Sequence, residues 1–136
     1  MIDDNVRYAA AVISEVRRRE RTSGVLALAG FSQGVAMAYR AAARCGFPCH
    51  GLVALAGDVP PDAAASAAPG FPPVLLGRGT EDQWYDEGKM KADLATLENM
   101  GAAVETCVFD GGHDWTEEFF QAAGRFLAGV LEGKES

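Results

Sequence analysis

The sequence lacks any apolar run long enough to cross a bilayer, although 49% of its 136 residues are hydrophobic. A transmembrane helix needs about 20 such residues in succession. Asp3 and Asp4 precede an amphipathic segment, whereas a secretory signal has an apolar core. The sequence has three cysteines, which is an odd number, and their spacing is not that of a disulfide framework. We therefore expect no membrane partner, and a cytoplasmic protein whose thiols are reduced.

Internal repeats and domain linkers are also absent from the sequence. A chain of 136 residues can bury about two-thirds of its unfolded surface, which is enough for one core. Cys45, Cys49 and His50 stand close together, but no second pair of ligands accompanies them in the sequence. We therefore predict a single domain over residues 1–136, with no metal and no cofactor.

Apolar runs alternate with amphipathic segments along the chain. A strand that is covered on both faces has a continuous apolar sequence, whereas an amphipathic helix repeats its apolar residues at helical spacing. The alternation predicts an α/β fold of about four parallel strands with helices on both faces and right-handed crossovers. The predicted strands cover residues 24–30, 51–57, 73–78 and 102–109, and the predicted helices cover residues 4–20, 33–45, 84–99 and 114–131.

Prolines dominate the segment VPPDAAASAAPGFPP over residues 59–73. They exclude a long helix, although the stretch AAASAA is able to form one turn. The segment is either a short crossover between two strands or a mobile cap over a pocket. We favour the crossover, because connections between neighbouring elements are usually short.

The run VLALAGFSQG is the most informative segment of the chain. Its apolar part predicts a buried strand, and Ser32 follows that strand directly before a helical segment. A serine in such a tight turn has strained backbone geometry, and it needs very small residues two positions away on each side, as Gly30 and Gly34 are. The pattern indicates a nucleophile elbow, in which the N–H of Gln33 points to a developing oxyanion. The alternative is a glycine-rich turn that binds a phosphate or nothing.

An elbow serine needs a general base, and the sequence has only two histidines. His50 precedes an apolar run, so it lies at the wrong end of the sheet, because sites on parallel sheets lie beyond the carboxyl ends of the strands. His113 follows the strand over 102–109, on a Gly-Gly loop before a helix. We therefore predict that His113 is the base. The alternative is an ordinary loop histidine exposed to water.

The base in turn needs an orienting carboxylate, expected between the serine and the histidine in chain order. The run PPVLLGRGTED places Glu81 and Asp82 just after the strand over 73–78. We favour Asp82, because it lies farther round the turn and its side chain is shorter. Glu81 is the second choice, and Asp58, after the strand over 51–57, is the third.

The stretches GFSQG, GTEDQWY and FDGGHDW, in this order and spacing, resemble the phospholipase/carboxylesterase group of α/β-hydrolases, which includes bacterial carboxylesterases and acyl-protein thioesterases. The resemblance runs through nearly the whole chain. It implies that Ser32 is the nucleophile, Asp82 the orienter and His113 the general base. The implied chemistry is acyl transfer to water from carboxylic esters or thioesters.

The sequence departs from this group at its beginning. Members of the group have several strands before the helix that precedes the elbow, and a His-Gly loop there donates the second oxyanion N–H. Here the helix over 4–20 begins almost at Met1, and no His-Gly loop occurs. We therefore expect a reduced α/β-hydrolase fold, either a minimal hydrolase or a fragment of one. Its activity should be weak, because one lost oxyanion donor costs about a hundred- to a thousandfold in turnover.

The same departure leaves the strand over 24–30 with a bare apolar edge. It lacks the lysines, prolines and inward charges that usually protect edges, and nearby helices lose packing partners. We therefore predict a homo-oligomer, in the simplest case a dimer. The alternative is that the helix over 4–20 shields the edge alone.

Positive charge is scarce, since 12 lysines and arginines stand against 19 aspartates and glutamates and the net charge is −7. Much of the acidic excess follows the predicted strands, at Asp58, Glu81, Asp82, Asp86, Glu87, Asp110, Asp114, Glu117 and Glu118. A negative rim repels anions, which disfavours nucleic acid, phosphomonoesters and fatty-acyl CoA and favours a small neutral ester. Trp84, Tyr85 and Trp115 flank the predicted orienter and base, and they are candidates for pocket walls.

Two functions from different classes are compatible with the sequence. The first is a serine esterase that acts on short, uncharged acyl esters. The second is a non-catalytic remnant of the hydrolase fold that serves as a binding or assembly module. The ordered serine, aspartate and histidine favour the first function, and the missing oxyanion loop favours the second.

Overall fold

The computed structural model of the protein describes residues 26–44, 49–66 and 71–135. Within these ranges, four parallel strands form one sheet in the order β1-β2-β3-β4. The strands are β1 (Ala27–Phe31), β2 (Gly51–Leu55), β3 (Val74–Gly79) and β4 (Val104–Phe109). The helices around the sheet are α1 (Gln33–Arg44), α2 (Pro61–Ser66), α3 (Glu87–Asn99) and α4 (Glu117–Glu135). The predicted reduced α/β fold of about four parallel strands is confirmed.

The two central strands form the middle of the core. Every residue of β2 is buried, and β3 is buried at each position except Arg78. Their register places Val53 beside Leu75. Because neighbouring strands and helices leave no face of β2 open to water, its sequence is continuously apolar and shows no alternation.

Helix α3 begins later than the sequence predicts. The predicted first residue is Trp84, but the helix begins at Glu87. Trp84 and Tyr85 donate their N–H groups to the carboxylate of Asp82, so they form a bend in place of a first helical turn. Asp86 then caps the helix by accepting an N–H of its first turn at 2.9 Å.

Other boundaries also differ from the predicted ones; for example, β4 begins at Val104 and not at residue 102. Helix α4 begins at Glu117, not at residue 114, and the Thr116 hydroxyl accepts the N–H of Phe119 at its start. Strand β2 ends at Leu55, not at residue 57, because Ala56 has a φ of 59° and leaves the extended conformation.

Gly101 follows the end of α3. Its φ is 80°, a left-handed conformation that suits glycine, and its N–H donates to the carbonyl of Glu98 at 3.0 Å. The predicted helix over residues 4–20 and the first residues of the strand over 24–30 lie outside the described residues.

The crossover between β2 and β3 contains the short helix α2, which is tied to α1 by an ion pair. The Arg40 guanidinium donates to both carboxylate oxygens of Asp62, with Nε at 3.2 Å from Oδ1 and at 3.0 Å from Oδ2. Its Nη2 lies 3.1 Å from Oδ1. Such two-pronged pairs hold a fixed relative geometry. The start of the proline-rich segment is therefore fastened to the neighbouring helix, in agreement with the crossover interpretation.

Strands β1 and β4 are the edges of the sheet within the described residues. Strand β1 pairs with β2 on one side, and its residues Ala27, Ala29 and Phe31 are exposed. This exposure is compatible with the expected homo-oligomer, which stays a prediction. No helix in the described ranges is both long and apolar enough to span a membrane.

Gly77 provides a test of how tightly α4 packs on the sheet. An added Cβ at Gly77 would overlap the ring of Phe119, which is fully buried and has no room to move. We expect Gly77→Ala to lower the free energy of unfolding by about 1–3 kcal/mol, as overpacking does. The measurement is urea denaturation followed by circular dichroism.

Gly124 is the matched control, because it is exposed on α4 and an added Cβ meets no described atom within 4 Å. Gly124→Ala should raise the free energy of unfolding by about 0.5–1 kcal/mol, since alanine favours the helix. Equal unfolding midpoints for the two variants would contradict the described packing of α4.

Candidate active site

The turn between β1 and α1 holds Ser32 in a strained conformation. The φ of Ser32 is 56°, which is uncommon for a residue with a side chain. Its N–H donates to the carbonyl of Leu55 at 2.8 Å, which fixes the turn to the end of β2. An added Cβ at Gly30 would lie 2.6 Å from the Gly34 carbonyl oxygen, so the small residue predicted there is required. At Gly34 an added Cβ meets no described atom within 4 Å, so the small size predicted there stays a prediction.

Gly57 also makes room for this turn, although the sequence did not single it out. An added Cβ at Gly57 would overlap the carbonyl oxygen of Ser32 and would lie 2.6 Å from the Cβ of Val35. The chain that leaves β2 therefore passes directly against the turn. A glycine at the last position of the predicted strand over 51–57 was the signal in the sequence, but the contact joins residues far apart in the chain.

The loops after β3 and β4 also meet through a glycine. An added Cβ at Gly79 would overlap the carbonyl oxygens of Gly111 and Gly112. The N–H of Glu81 donates to the Gly111 carbonyl at 2.8 Å, which joins the two loops. Because no side chain separates them, the loop that carries Asp82 lies directly beside the loop that carries His113.

Ser32, His113 and Asp82 form a continuous chain of hydrogen bonds. The Nε2 atom of His113 lies 2.8 Å from the Oγ of Ser32, and its Nδ1 atom lies 2.8 Å from the Oδ2 of Asp82. An ionised carboxylate only accepts, so Nδ1 donates to Asp82 and Nε2 of the neutral ring accepts the serine hydroxyl. This arrangement is able to take a proton from Ser32 and to hold the resulting imidazolium beside a negative charge.

Asp82 is buried, with 5% of its surface exposed, and all of its hydrogen bonds favour the ionised form. Its Oδ1 accepts the N–H of Trp84 at 2.8 Å and the N–H of Tyr85 at 2.9 Å. Burial by itself would raise the pKa of the Asp82 carboxyl, but the hydrogen bonds from Tyr85, His113 and Trp84 together hold that pKa below its usual range. The carboxylate therefore stays ionised to a lower pH than that of an ordinary aspartate.

The other candidates lie away from this chain of hydrogen bonds. Glu81 is exposed, and Asp58 is exposed at the rim of the cleft beside Ser32. His50 lies at the opposite end of the sheet, as predicted. Its backbone N–H donates to the carbonyl of Leu26 at 2.7 Å, and its Nδ1 accepts the N–H of Leu26 at 3.0 Å.

A cleft of about 560 Å³ opens over Ser32 and His113. It is lined by Ser32, Gln33, Ala36, Ala56, Gly57, Asp58, Val59, Pro60, Pro61, Trp84, Tyr85, Lys89 and His113. Trp84 and Tyr85 therefore line the cleft as predicted. Trp115 is not among the lining residues, and it packs edge-on against Phe119 with 5.2 Å between ring centroids. Gln33 is the first residue of α1, so its N–H is one of the unpaired donors at the helix start.

The described residues contain no group of three His, Cys, Asp or Glu side chains placed to hold a metal ion. Cys45, one member of the cysteine and histidine group considered for a metal, lies outside the described residues.

Comparison with known proteins identifies one matching family and several similar structures. The sequence profile of the phospholipase/carboxylesterase family matches residues 1–131. Esterase PE8 has a similar structure, with a TM-score of 0.75, 25% identity and coverage of 90% of this chain and 58% of that chain. No curated protein sequence matches.

Two further structures show the same fold at lower identity. The Bacillus cereus carboxylesterase has a TM-score of 0.79 and 17% identity, with coverage of 95% of this chain and 61% of that chain. The Zea mays acyl-protein thioesterase 2 has a TM-score of 0.65 and 20% identity, with coverage of 93% and 64%. The chain thus spans less than two thirds of the length of these proteins. Because the family profile covers nearly the whole sequence, the chain belongs to the phospholipase/carboxylesterase family of α/β-hydrolases.

Proposed function

We propose that the protein is a serine hydrolase that cleaves short, uncharged carboxylic esters through an acyl-enzyme. The observation that carries the proposal is the 2.8 Å contact between Ser32 Oγ and His113 Nε2, at the floor of an open cleft. Family membership supports the same class of reaction. The chemistry needs no metal or cofactor, because the nucleophile and the base are both side chains of the chain.

In the first half of the reaction, Ser32 Oγ attacks the ester carbonyl while its proton passes to His113 Nε2. Asp82 holds the imidazole in the tautomer that accepts this proton. The carbonyl oxygen becomes negative and lies where the N–H of Gln33 donates to it. When the tetrahedral intermediate collapses, His113 returns the proton to the leaving alcohol, and the acyl group remains on Ser32.

The second half repeats these steps with water in place of the alcohol. His113 removes a proton from water, the hydroxide attacks the acyl-enzyme, and the carboxylic acid leaves as Ser32 regains its proton. Gln33, the first residue of α1, supplies an oxyanion donor through its N–H.

The cleft suits a neutral substrate with a small apolar acyl group. Ala36, Ala56, Val59 and two prolines form its apolar lining. Asp58 at the rim disfavours anions, and the Lys89 ammonium, also at the cleft, donates to the Trp84 carbonyl at 2.6 Å. These features support a small neutral ester over nucleic acid or phosphomonoesters as the partner.

A non-catalytic binding module is the second candidate. The exposed residues of β1 support it, because an uncovered strand edge is a surface for assembly. We also propose the homo-oligomer noted above, with the exposed edge of β1 as the contact surface.

Labelling by a fluorophosphonate distinguishes the two functions. We expect the wild-type protein to react covalently at Ser32, because the His113 base is already in contact with the nucleophile. For the same reason we expect it to hydrolyse p-nitrophenyl acetate. Ser32→Ala should abolish both, as measured by mass spectrometry and by release of p-nitrophenol. An unlabelled wild-type protein, or unchanged hydrolysis by Ser32→Ala, would exclude the serine hydrolase.

His113→Gln should lower kcat/KM by about two to four orders of magnitude, because glutamine does not take the proton of Ser32. The measurement is hydrolysis of p-nitrophenyl acetate at one fixed pH. His50→Gln is the control, since His50 lies at the other end of the sheet and glutamine keeps an acceptor for the Leu26 N–H. A loss of kcat/KM in His50→Gln but not in His113→Gln would contradict the assignment of the base.

Asp82→Asn should lower kcat by about two to four orders of magnitude, because the amide no longer stabilises the imidazolium or fixes its tautomer. Glu81→Gln is a matched control on the next residue, and its exposed side chain makes no contact with His113. We expect it to keep wild-type kcat within about twofold, as is usual for surface substitutions. If Glu81→Gln proves the more damaging change, then Glu81 is the orienter.

A further inference from the structure

Asp82 and Asp93 are the charged side chains that are buried among the described residues, with 5% and 6% of their surfaces exposed. Asp82 already belongs to the site. Asp93 lies on the inner face of α3 with Met90 and Leu97, where a leucine would extend the apolar core. A carboxylate is costly to bury unless hydrogen bonds compensate, so its partners indicate what it holds in place.

The carboxylate of Asp93 joins two separate loops. Its Oδ2 accepts the hydroxyl of Tyr85, which follows β3, at 2.6 Å. Its Oδ1 accepts the N–H of Val59, which follows β2, at 3.2 Å. Tyr85 and Val59 both line the cleft over Ser32. A single side chain thus fixes two parts of the cleft wall with respect to each other.

Tyr85 connects the hydrogen bonds of Asp93 to those at Ser32. Its N–H donates to Asp82 at 2.9 Å while its hydroxyl donates to Asp93, so one residue contacts both buried carboxylates. Burial raises the pKa of the Asp93 carboxyl, and the hydrogen bonds from Tyr85 and Val59 oppose that effect. The two donors therefore stabilise the charge, and the charge in turn restricts the two loops.

We propose that Asp93 is a positioning residue that fixes the width of the cleft and thereby selects the length of the acyl chain. The inference rests on the proposed function, in which the cleft binds the acyl group of an ester. With Val59 and Tyr85 held in place, each additional methylene group contacts a close-packed wall, which is worth about fourfold in affinity. When the hydrogen bonds of Asp93 to Val59 and Tyr85 are lost, these two residues are able to shift, and each methylene group gains fewer contacts.

Binding of uncleaved analogues tests this without turnover. The probes are straight-chain N-methylalkanamides with acyl chains of about two to eight carbons, and the signal is tryptophan fluorescence, to which Trp84 in the cleft contributes. For the wild-type protein we expect the affinity to rise about fourfold with each methylene up to a limiting length. In Asp93→Asn and in Tyr85→Phe the gain in affinity per methylene group should fall to about twofold or less. The double variant should show the same reduced gain as either single variant, because both changes disrupt the same hydrogen bond.

Leu97→Ala is the control for a merely structural effect. Leu97 is fully buried on the same helix, and its loss should destabilise the fold while leaving the increment per methylene unchanged. If Asp93→Asn does not fold, Tyr85→Phe, which keeps the ring in the wall, gives the same test.

The inference would be overturned if the folded Asp93 or Tyr85 variants kept the wild-type gain in affinity per methylene group. It would also be overturned if Leu97→Ala lowered that gain equally, or if no analogue bound to the wild-type protein. Failure of the fluorophosphonate to label Ser32 would instead overturn the proposed function, and the binding series would still decide the role of Asp93.

Discussion

The carboxylate of Asp82 is the group on which the rest of the site depends. One of its oxygens accepts two successive N–H groups, those of Trp84 and Tyr85, and the other contacts His113. The first pair of bonds delays the start of α3 and turns two aromatic residues toward the cleft. The contact with His113 directs the imidazole at Ser32. The backbone bend before α3, the positions of Trp84 and Tyr85 in the cleft wall and the orientation of His113 therefore all depend on the Asp82 carboxylate.

The parts of the fold and the site that the sequence predicted all follow from short-range patterns. Continuous apolar runs identified the strands, the glycine-serine pattern identified Ser32, and the rule that sites lie beyond the carboxyl ends of parallel strands favoured His113 over His50. Asp82 was preferred to Glu81 because it lies farther round the turn and its side chain is shorter, and the structure joins Asp82 to His113. The same rule placed His50 at the opposite end. The boundary of α3 was missed because helical spacing does not reveal that a carboxylate takes the first N–H groups.

The features that the sequence did not reveal are contacts between distant segments. Gly57 lies against Ser32, 25 positions away in the chain, and Gly79 lies against Gly111 in the loop of His113, 32 positions away. The sequence does show that Asp93, a charged residue, occupies the apolar face of α3. Its hydrogen-bond partners, however, lie on two other loops. Periodicity shows which face of an element is buried, whereas the partner across that face depends on the assembled fold.

The left-handed conformation of Ser32 has a consequence for how activity is lost. A residue with a side chain at a φ of 56° carries about 1–3 kcal/mol of strain, which persists only while the surrounding chain imposes it. Here the restraint comes from the end of β2, through the Leu55 carbonyl and the close approach of Gly57. Slight separation of β1 from β2 at this one end would release the serine into an ordinary conformation while the remaining sheet stays intact. We therefore expect loss of the proposed activity to be a local event that precedes the cooperative loss of the fold.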